Sequence, residues 1–298
     1  MTKMTKIKKL TKITSSPFLF ILVIFIVFVI LLLVFSGQLI LSQSFYIGPL
    51  SIHYYGLIMA LAVGLAWILA RRRAQKFGID VKTADDIIFY IILGGFIGAR
   101  LYHVFSSTNY YWQHPIDILK VWNGGLSIFG AVLGGLVAIY IFKRIITPPS
   151  PPFNRGGEWV MNWLTPSLIV GQIIGRFGNL FNYEAFGYPT NLPWKMFVPW
   201  QFRPEQYQNA NFFHPWFLYE QIGLIAIFFI ISRLGKQVKG DLFIYYVLLY
   251  NILRFALEFL RIDSVFFGNL RLNSISSALL VFLAIVLLIT RKKHEKPA

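Results

Sequence analysis

The sequence predicts an all-α polytopic membrane protein with about eight transmembrane helices. Hydrophobic residues make up 56% of the 298 residues, charged residues only 13%, and the mean hydropathy is +0.62, which excludes an ordinary soluble chain. The apolar residues are concentrated in eight segments, each long enough to cross about 30 Å of hydrocarbon as a helix. These segments lie near residues 17–35, 53–70, 87–105, 125–142, 159–180, 215–232, 241–260 and 273–290.

The cysteine and histidine content excludes several kinds of chemistry. The chain has no cysteine, so it has no disulfide framework, no thiolate metal site and no cysteine nucleophile of its own. Its five histidines show no ligand spacing, and we predict neither a metal site nor a cofactor. Any thiol chemistry must use a thiol of the substrate.

The basic residues predict the orientation in the membrane. They cluster before the first segment, after the second and fourth, between the sixth and seventh, and after the eighth. The clusters are Lys3, Lys6, Lys8, Lys9 and Lys12; Arg71, Arg72, Arg73, Lys76 and Lys82; Lys143, Arg144 and Arg155; Arg233, Lys236 and Lys239; and Arg291, Lys292, Lys293 and Lys296. If all of these ends are cytoplasmic, the eight spans alternate and both termini are cytoplasmic.

The net charge of +16 is therefore mainly a topology signal, because 20 of the 28 basic residues belong to these clusters. Nucleic acid is not an expected partner. Eight basic residues remain, in the outer loops or near the outer ends of spans: Arg100, Lys120, Arg176, Lys195, Arg203, Arg254, Arg261 and Arg271. Charges at membrane depth are costly, so some of these residues are expected to be functional.

Three regions are predicted along the chain. Residues 1–44 form a basic cytoplasmic tail and a first helix, which is an uncleaved signal anchor because its apolar run is longer than a signal-peptide core and no clear cleavage site follows. A cleaved signal is the alternative. Residues 45–290 form the main membrane domain, and an aromatic, proline-containing outer loop at about 183–214 forms a small cap. Residues 291–298 form a second basic cytoplasmic tail.

One polar motif stands at the end of the fifth apolar segment. Residues 175–187 read Gly-Arg-Phe-Gly-Asn-Leu-Phe-Asn-Tyr-Glu-Ala-Phe-Gly. This run resembles the signature of the prolipoprotein diacylglyceryl transferase family, and further matches follow in the family's order over about residues 45–290. They are His53-Tyr-Tyr-Gly-Leu57, Gly98-Ala-Arg-Leu-Tyr102, Trp122-Asn-Gly-Gly-Leu-Ser127, His214-Pro215 with Leu218-Tyr-Glu220, and Arg254-Phe-Ala-Leu-Glu-Phe-Leu-Arg261.

The resemblance implies an enzyme that transfers the diacylglyceryl group of phosphatidylglycerol to the lipobox cysteine thiol of a preprolipoprotein, the first step of lipoprotein maturation. A thioether forms and glycerol phosphate leaves. The implied fold is a seven-helix family body with one extra N-terminal helix and a periplasmic cap. The implied location is the bacterial inner membrane, with the site toward the outer leaflet and with membrane lipids and the signal peptide as partners.

The candidate catalytic residues are Arg176, Arg254 and Glu258. Negative charge grows on the phosphate ester as the carbon–oxygen bond breaks, and guanidinium groups fixed in a low-dielectric pocket stabilise that charge. Arg254, Glu258 and Arg261 also have the spacing of a structural ion-pair ladder on one helix face, which is the alternative role for all three.

The candidate substrate-binding residues are Tyr55, Arg100, Asn179, Asn182, Glu184, Gly187 and Arg261. Asn179 and Asn182 share a helix face with Arg176 if the helix extends that far, although backbone capping is the alternative. Glu184 is expected to orient Arg176 or to bind the glycerol head group. Gly175, Gly178 and Gly187 are expected to allow close approach of the backbone. For Arg261, lipid head groups at the interface are a further possible partner.

Two positions depart from the family pattern. Many members have a histidine where this chain has Phe129, and a glutamine is expected where it has Ser274. A free thiol has a pKa near 8.5, so an imidazole at position 129 would help to form the thiolate. The alternative proton acceptors are His103, His53, Glu258 and water. Two other functions remain open: a homologue that binds phosphatidylglycerol and lipoprotein without transfer, and a transporter, although no inverted repeat is visible.

Overall fold

The computed structural model describes residues 17–145, 157–235 and 241–294, and these residues are mainly helical. Several of the predicted basic clusters lie wholly or partly outside the described residues: the N-terminal lysine cluster, Arg155 in the proline-containing stretch 147–157, Lys236 with Lys239, and Lys296. The long helices are α1 (Pro17–Phe35), α2 (Tyr54–Ala74), α3 (Val81–Ser106), α5 (Ile128–Ile145), α6 (Gly157–Asn182), α7 (Trp216–Leu234), α8 (Leu242–Glu258) and α9 (Leu272–His294), and α4 (Thr108–Gln113) is short.

The long helices coincide with the eight apolar segments predicted from the sequence. Within the described residues, four stretches qualify by length and hydropathy as membrane spans: Tyr54–Phe77, Val81–Ser106, Trp216–Leu234 and Leu272–Arg291. Shorter apolar stretches are Phe25–Phe35 in α1 and Ile128–Phe142 in α5. Many large apolar side chains on these helices are exposed, as expected of surfaces that face lipid. A helical polytopic membrane protein is thus supported, and the number of eight crossings stays a prediction.

The chain divides into two compact units, each built from separate stretches of sequence. The first unit contains the described residues up to 58 together with 175–222 and 253–276. The second unit contains 59–174, 223–252 and the described residues from 277 onward. The first unit contains the motif at 175–187. It also contains Arg254 of α8 and Arg261, which follows α8.

In the second unit, α3 and α5 pack together through glycines. A Cβ added at Gly94 would lie 2.8 Å from the carbonyl oxygen of Gly134, and one added at Gly98 would overlap the carbonyl oxygen of Gly130. Because no side chain separates the helices here, their backbones approach closely, as small residues allow in membrane proteins. This contact fixes α3, which carries Arg100 and His103.

The other end of the second unit has a conventional apolar core. Ala70, Ile79, Ile87 and Trp163 are almost completely buried there. The Trp163 indole N–H donates to the carbonyl oxygen of Ala70 over 2.9 Å, so the buried polar group is satisfied. Asp80 caps α3 by accepting a hydrogen bond from the backbone N–H of Thr83.

The first unit contains three short antiparallel ribbons, so an all-α description is incomplete. They are β1 (Ser44–Ile47) with β2 (Leu50–His53), β3 (Met196–Phe197) with β4 (Phe212–Phe213), and β5 (Phe266–Phe267) with β6 (Leu270–Arg271). The physical reason is that the segments between helices also need partners for their backbone polar groups, and paired extended segments supply them. The ribbon of β3 and β4 lies within the predicted cap, residues 183–214.

The cap has a hydrophobic core that includes the end of α1. Val34, Phe186, Met196 and Phe213 are buried together in this cluster. The backbone N–H of Leu41 also donates to the hydroxyl of Tyr183 over 2.6 Å, and this hydroxyl donates back to the Leu41 carbonyl. The segment that follows the first helix is therefore attached to the cap.

We expect Gly98→Ala to destabilise the protein by about 1 to 3 kcal/mol, because the added methyl group forces α3 and α5 apart. Thermal unfolding of the purified protein in detergent measures this change. The matched control is Gly64→Ala in α2, where an added Cβ meets no atom within 4 Å. Equal unfolding temperatures for the two variants would contradict the proposed close packing.

Candidate functional site

Arg176 lies in α6, near its end, and is paired with a fully buried carboxylate. Its Nη2 atom is 2.6 Å from Oε1 of Glu220 in α7, whose side chain has no solvent exposure. The Arg176 side chain itself is 26% exposed, so part of the guanidinium group remains accessible. The pair is charge-assisted and short, which fixes the direction of the guanidinium plane.

Asn179, Asn182 and Glu184 continue this network. The Arg176 Nη1 atom donates to Oδ1 of Asn179 over 3.4 Å, and Asn179 Nδ2 donates to Oε1 of Glu184 over 2.9 Å. Asn182 Nδ2 donates to the same Glu184 oxygen over 3.4 Å. Helix α6 extends to Asn182, which meets the condition for Asn179 and Asn182 to share a helix face with Arg176. Both amides donate to the Glu184 side chain. Glu184 thus contacts Arg176 through Asn179.

An unusual turn aims Glu184 back toward the helix. The residues on either side of it, Tyr183 and Ala185, have φ of 50° and 55°, in the left-handed region that residues other than glycine seldom adopt. Such a conformation costs of order 1 to 3 kcal/mol per residue and is often found at functional sites. The Tyr183 ring stacks on Phe202 at 4.9 Å, and this cap contact helps to hold the turn.

Arg254 and Glu258 form a second ion pair, one turn apart on α8. Nη2 of Arg254 is 3.3 Å from Oε2 of Glu258, and the glutamate is completely buried. The other oxygen, Oε1, accepts a hydrogen bond of 2.9 Å from Nδ2 of Asn273. Among the described residues, Arg254 Nη1 and Glu258 Oε2 are buried without a hydrogen-bond partner, although Oε2 is the oxygen that faces Arg254 in the ion pair. Buried polar atoms are normally satisfied, so these two atoms indicate a place for a polar ligand.

The indole of Trp216 brings three arginines together. The guanidinium carbons of Arg254, Arg261 and Arg176 lie 4.8, 5.0 and 5.8 Å from the ring centroid of this fully buried side chain. The indole N–H donates to the carbonyl oxygen of Leu257 over 2.7 Å, which fixes the ring. Cation–π attraction partly offsets the cost of holding like charges close together.

Arg261 has its own carboxylate partner. Its Nη2 donates to Oδ2 of Asp263 over 2.8 Å and its Nε contacts the other oxygen, which gives a bidentate pair. Burial acts to raise the pKa of the Asp263 carboxyl, but the hydrogen bonds and charge of Arg261 outweigh it and hold that pKa below its usual value. The predicted ladder therefore has one pair, Arg254 with Glu258, and Arg261 turns to Asp263.

Gly178 and Gly187 allow close backbone approach, as predicted. A Cβ at Gly187 would overlap the carbonyl oxygen of Leu260, and the backbone of Gly187 pairs with Arg261 in an isolated bridge. A Cβ at Gly178 would lie 2.7 Å from the ring of Tyr55, so this tyrosine packs directly on the motif helix. Tyr55 lies within electrostatic range of both Glu184 and Arg176.

His214 and Tyr219 join the start of α7 to the cap. The Trp194 indole N–H donates to the Tyr219 hydroxyl over 2.7 Å, and that hydroxyl lies 3.0 Å from Nδ1 of His214. Burial lowers the pKa of the His214 imidazole below its usual value. The backbone carbonyl of His214 accepts from the N–H of Gly187 over 2.8 Å, which ties this region to the turn after α6.

Arg100 belongs to the second unit, where backbone carbonyls surround it. Its Nη1 donates to the carbonyl oxygens of Gly124 and Gly125 over 2.7 and 3.0 Å, and its Nε donates to that of Ile118 over 2.9 Å. The side chain is buried and also lies over the ring of Tyr111. These contacts hold the loop between α4 and α5, and a contact of Arg100 with lipid or substrate stays a prediction.

Four of the other unassigned cations have local partners. Lys120 pairs with Asp117 at 2.6 Å. Arg203 donates to the carbonyl oxygen of Val198, and Arg271 donates to that of Glu258 at the end of α8. Lys195 lies over the ring of Phe212. The arginines that converge on one ring are thus Arg176, Arg254 and Arg261.

Phe129 is exposed, and its ring centroid lies 6.1 Å from that of Tyr102. His103, in the same unit, lies against Gly125, where an added Cβ would be 2.6 Å from its Nε2. His53 ends β2 in the first unit and is exposed. Across the described stretches 17–145, 157–235 and 241–294, no group of three histidine or acidic side chains could hold a metal ion.

Glu220 and Trp216 are site residues that the sequence argument did not place. Glu220 had no assigned role, although a carboxylate inside an apolar segment near its outer end is the same kind of signal that singled out Arg176. Trp216 carries no comparable signal, since aromatic residues are common at the ends of spans.

The chain is similar to known proteins along most of its length. A family model described as prolipoprotein diacylglyceryl transferase matches residues 42–290. A protein of Thermotoga maritima named phosphatidylglycerol-prolipoprotein diacylglyceryl transferase is 40% identical over 268 residues, which cover 89% of this chain and 89% of that protein. Proteins of that name from Fervidobacterium nodosum and Acaryochloris marina are each 38% identical, over 84% and 79% of this chain and 85% of each relative.

Proposed function

The chain belongs to the prolipoprotein diacylglyceryl transferase family, and from this premise we propose how its own residues carry out the transfer. It is a membrane enzyme that transfers the diacylglyceryl group of phosphatidylglycerol to prolipoprotein, the first step of bacterial lipoprotein maturation. The acceptor is the lipobox cysteine of the signal peptide. Its sulfur bonds to the glyceryl carbon as the bond from that carbon to the phosphate oxygen breaks.

The phosphate of the donor lipid binds to the arginines that surround Trp216. The observation that carries this assignment is the buried Nη1 of Arg254, a charged donor that has no hydrogen-bond partner in the part of the chain that the structure describes. A phosphate oxygen is the acceptor that such a donor requires, and arginine binds phosphate with two parallel N–H groups. Arg176, fixed by Glu220, supplies the second donor group. As the ester bond breaks, both guanidinium groups stabilise the charge on the departing glycerol phosphate.

The glycerol head group binds to the amide and carboxylate side chains that lie next to Arg176. Asn179, Asn182 and Glu184 offer donors and acceptors next to Arg176, which suits a ligand rich in hydroxyl groups. The ring of Tyr55 packs on α6 at Gly178, and we assign its hydroxyl to the phosphate as a hydrogen-bond donor. Gly187 and Arg261 support this site by joining the turn after α6 to the end of α8.

The thiol proton is transferred to Glu258. Its Oε2 is buried and accepts no hydrogen bond, while Asn273 and Arg254 fix the carboxylate. General-base assistance of this kind is worth about 10² to 10⁴ in rate. A thiol that has reached this site loses its proton as the sulfur–carbon bond forms, so no histidine at position 129 is required.

The site faces the outer leaflet of the inner membrane. The basic clusters, together with the predicted alternation of eight spans, support cytoplasmic termini and a position of the motif at 175–187 at the outer end of α6. The donor lipid and the signal peptide both reside in the bilayer, so both enter laterally. In this arrangement residues 1–44 add one helix to a seven-helix body, 45–290 form the transferase domain with its cap at 183–214, and 291–298 form the basic end.

We expect Arg176→Ala and Arg254→Ala to lower transfer at least about 100-fold, because each removes a donor to the leaving group. Arg176→Lys keeps the charge but loses the two-pronged geometry, so we expect at least a tenfold loss there as well. The assay measures thioether formation from labelled phosphatidylglycerol and a lipobox peptide. Arg144→Ala, on the exposed end of α5, is the control and should transfer normally. Normal turnover in both alanine variants would refute the phosphate site.

We expect Glu258→Gln to lower transfer strongly at pH 7 and to recover as the pH rises toward 9, because the thiol then ionises without a base. His103→Gln and His53→Gln should leave the pH profile of transfer unchanged. A normal profile for Glu258→Gln together with a shifted profile for either histidine variant would assign the base to that histidine.

We expect Phe129→His to leave transfer unchanged or to raise it, because an imidazole there adds a proton acceptor without removing a contact of the arginine site. Phe129→Leu, which keeps an apolar side chain, is the matched control and should behave like the parent chain. A large loss in Phe129→His with normal activity in Phe129→Leu would show that a polar side chain at this position disturbs the reaction.

A further inference from the structure

A groove separate from the arginine site lies in the first unit, between α1 and the cap. It has a volume of about 550 Å³, within the range of small-molecule sites. Its walls include Phe28, Leu31 and Leu32 of α1, Trp194 and Lys195 of the cap, and Leu218 of α7. We call it the α1 groove.

The α1 groove is a built feature, because the helix that forms one wall is fixed to the cap. Val34, on the same helix, is 1% exposed and packs in the cap core. A Cβ at Gly37 would lie 2.8 Å from the ring of Phe197, so the chain after the helix passes directly over the β3 strand. The residues that line the groove do not include Arg176, Arg254 or Glu258, so the groove is separate from the arginine site.

The charged side chain that lines the α1 groove is a cation, Lys195. Lys195 has no carboxylate oxygen within 4.0 Å in the part of the chain that the structure describes, and its Nζ lies 4.4 Å from the ring of Phe212. Trp194 beside it is 52% exposed and directs its N–H to Tyr219. Lysine and tryptophan side chains beside an apolar surface are typical of protein regions that lie at the membrane–water interface.

We propose that the α1 groove binds an anionic phospholipid that is not the substrate, with one acyl chain against α1 and the phosphate on Lys195. The apolar walls match the acyl chain, and the Lys195 ammonium group, which has no carboxylate partner among the described residues, matches the phosphate charge. A lipid with a zwitterionic head group gains less, because its own cation opposes Lys195. A lipid in this groove fills the space between the first helix and the cap, next to the Trp194 hydrogen bond to Tyr219.

The test uses the full chain in lipid nanodiscs and the fluorescence of Trp194. Phosphatidylglycerol or phosphatidylcholine with brominated acyl chains is titrated in, without acceptor peptide, and the difference between the parent chain and Trp194→Phe isolates quenching at Trp194. We expect half-maximal quenching at an about fivefold lower mole fraction of the anionic lipid. Lys195→Gln should abolish this preference, and Lys195→Arg should keep it.

Three controls separate this site from the substrate site and from general lipid contact. Arg176→Ala should keep the preference at Trp194, although it blocks transfer, and Lys120→Gln should also keep it. Leu32→Tyr, at an exposed position that tolerates the change, should narrow the groove and weaken quenching by both lipids. The Leu32→Tyr variant keeps the proposal testable if Lys195→Gln does not fold.

Several results would overturn the proposal. Equal quenching by the two lipids in the parent chain would show ordinary boundary lipid only. An unchanged preference in Lys195→Gln would remove the lysine from the site, and a preference lost in Arg176→Ala would trace the signal to the substrate. Relief of quenching by a lipobox peptide would identify the signal helix as the occupant instead. None of these results bears on whether the chain is a transferase.

Discussion

Three guanidinium groups can gather around Trp216 because each has an anion as well as the aromatic face beside it. Isolated charges in an apolar environment cost many kcal/mol, and breaking a buried pair typically costs about 3 to 5 kcal/mol. Glu220, Glu258 and Asp263 neutralise Arg176, Arg254 and Arg261 in turn. Because each arginine is paired with a carboxylate, the arrangement has little net positive charge. A phosphate that bound here would be held mainly by fixed N–H donors.

The surrounding backbone serves this arrangement. Gly187 lets the chain after α6 pair with the chain after α8, so residues separated by more than 70 positions meet at one bridge. The strained turn at Tyr183 and Ala185 returns Glu184 to the asparagines of α6. Strain of this kind persists only where neighbouring contacts hold it, and the stacking of Tyr183 on Phe202 in the cap is one such contact.

The sequence was most informative where local pattern decides the structure. Apolar segments of about 20 residues predicted the long helices, and the costly polar residues marked Arg176, Asn179 and Glu184, which the structure joins in one network. The sequence alone could not predict which side chains pair over long distances, because no periodic spacing relates Glu220 to Arg176, which lies 44 positions earlier. The ladder spacing of Arg254, Glu258 and Arg261 was ambiguous for the same reason, and Asp263 decided it. The short ribbons were missed because strands of two to four residues are too short to show a clear alternation of apolar and polar residues.

The phenylalanine at position 129 becomes understandable when the cost of thiol ionisation is compared with the whole barrier. A thiol with a pKa near 8.5 is about 1.5 units above neutral pH, so forming the thiolate costs about 2 kcal/mol. Enzymes lower barriers by about 8 kcal/mol or more, and stabilisation of a leaving phosphate accounts for a large part of that. A buried carboxylate oxygen with a free lone pair, as on Glu258, can supply the smaller contribution. In the proposed mechanism the arginine donors supply the larger one, so this mechanism predicts that transfer depends on the fixed guanidinium groups more than on the residue at position 129.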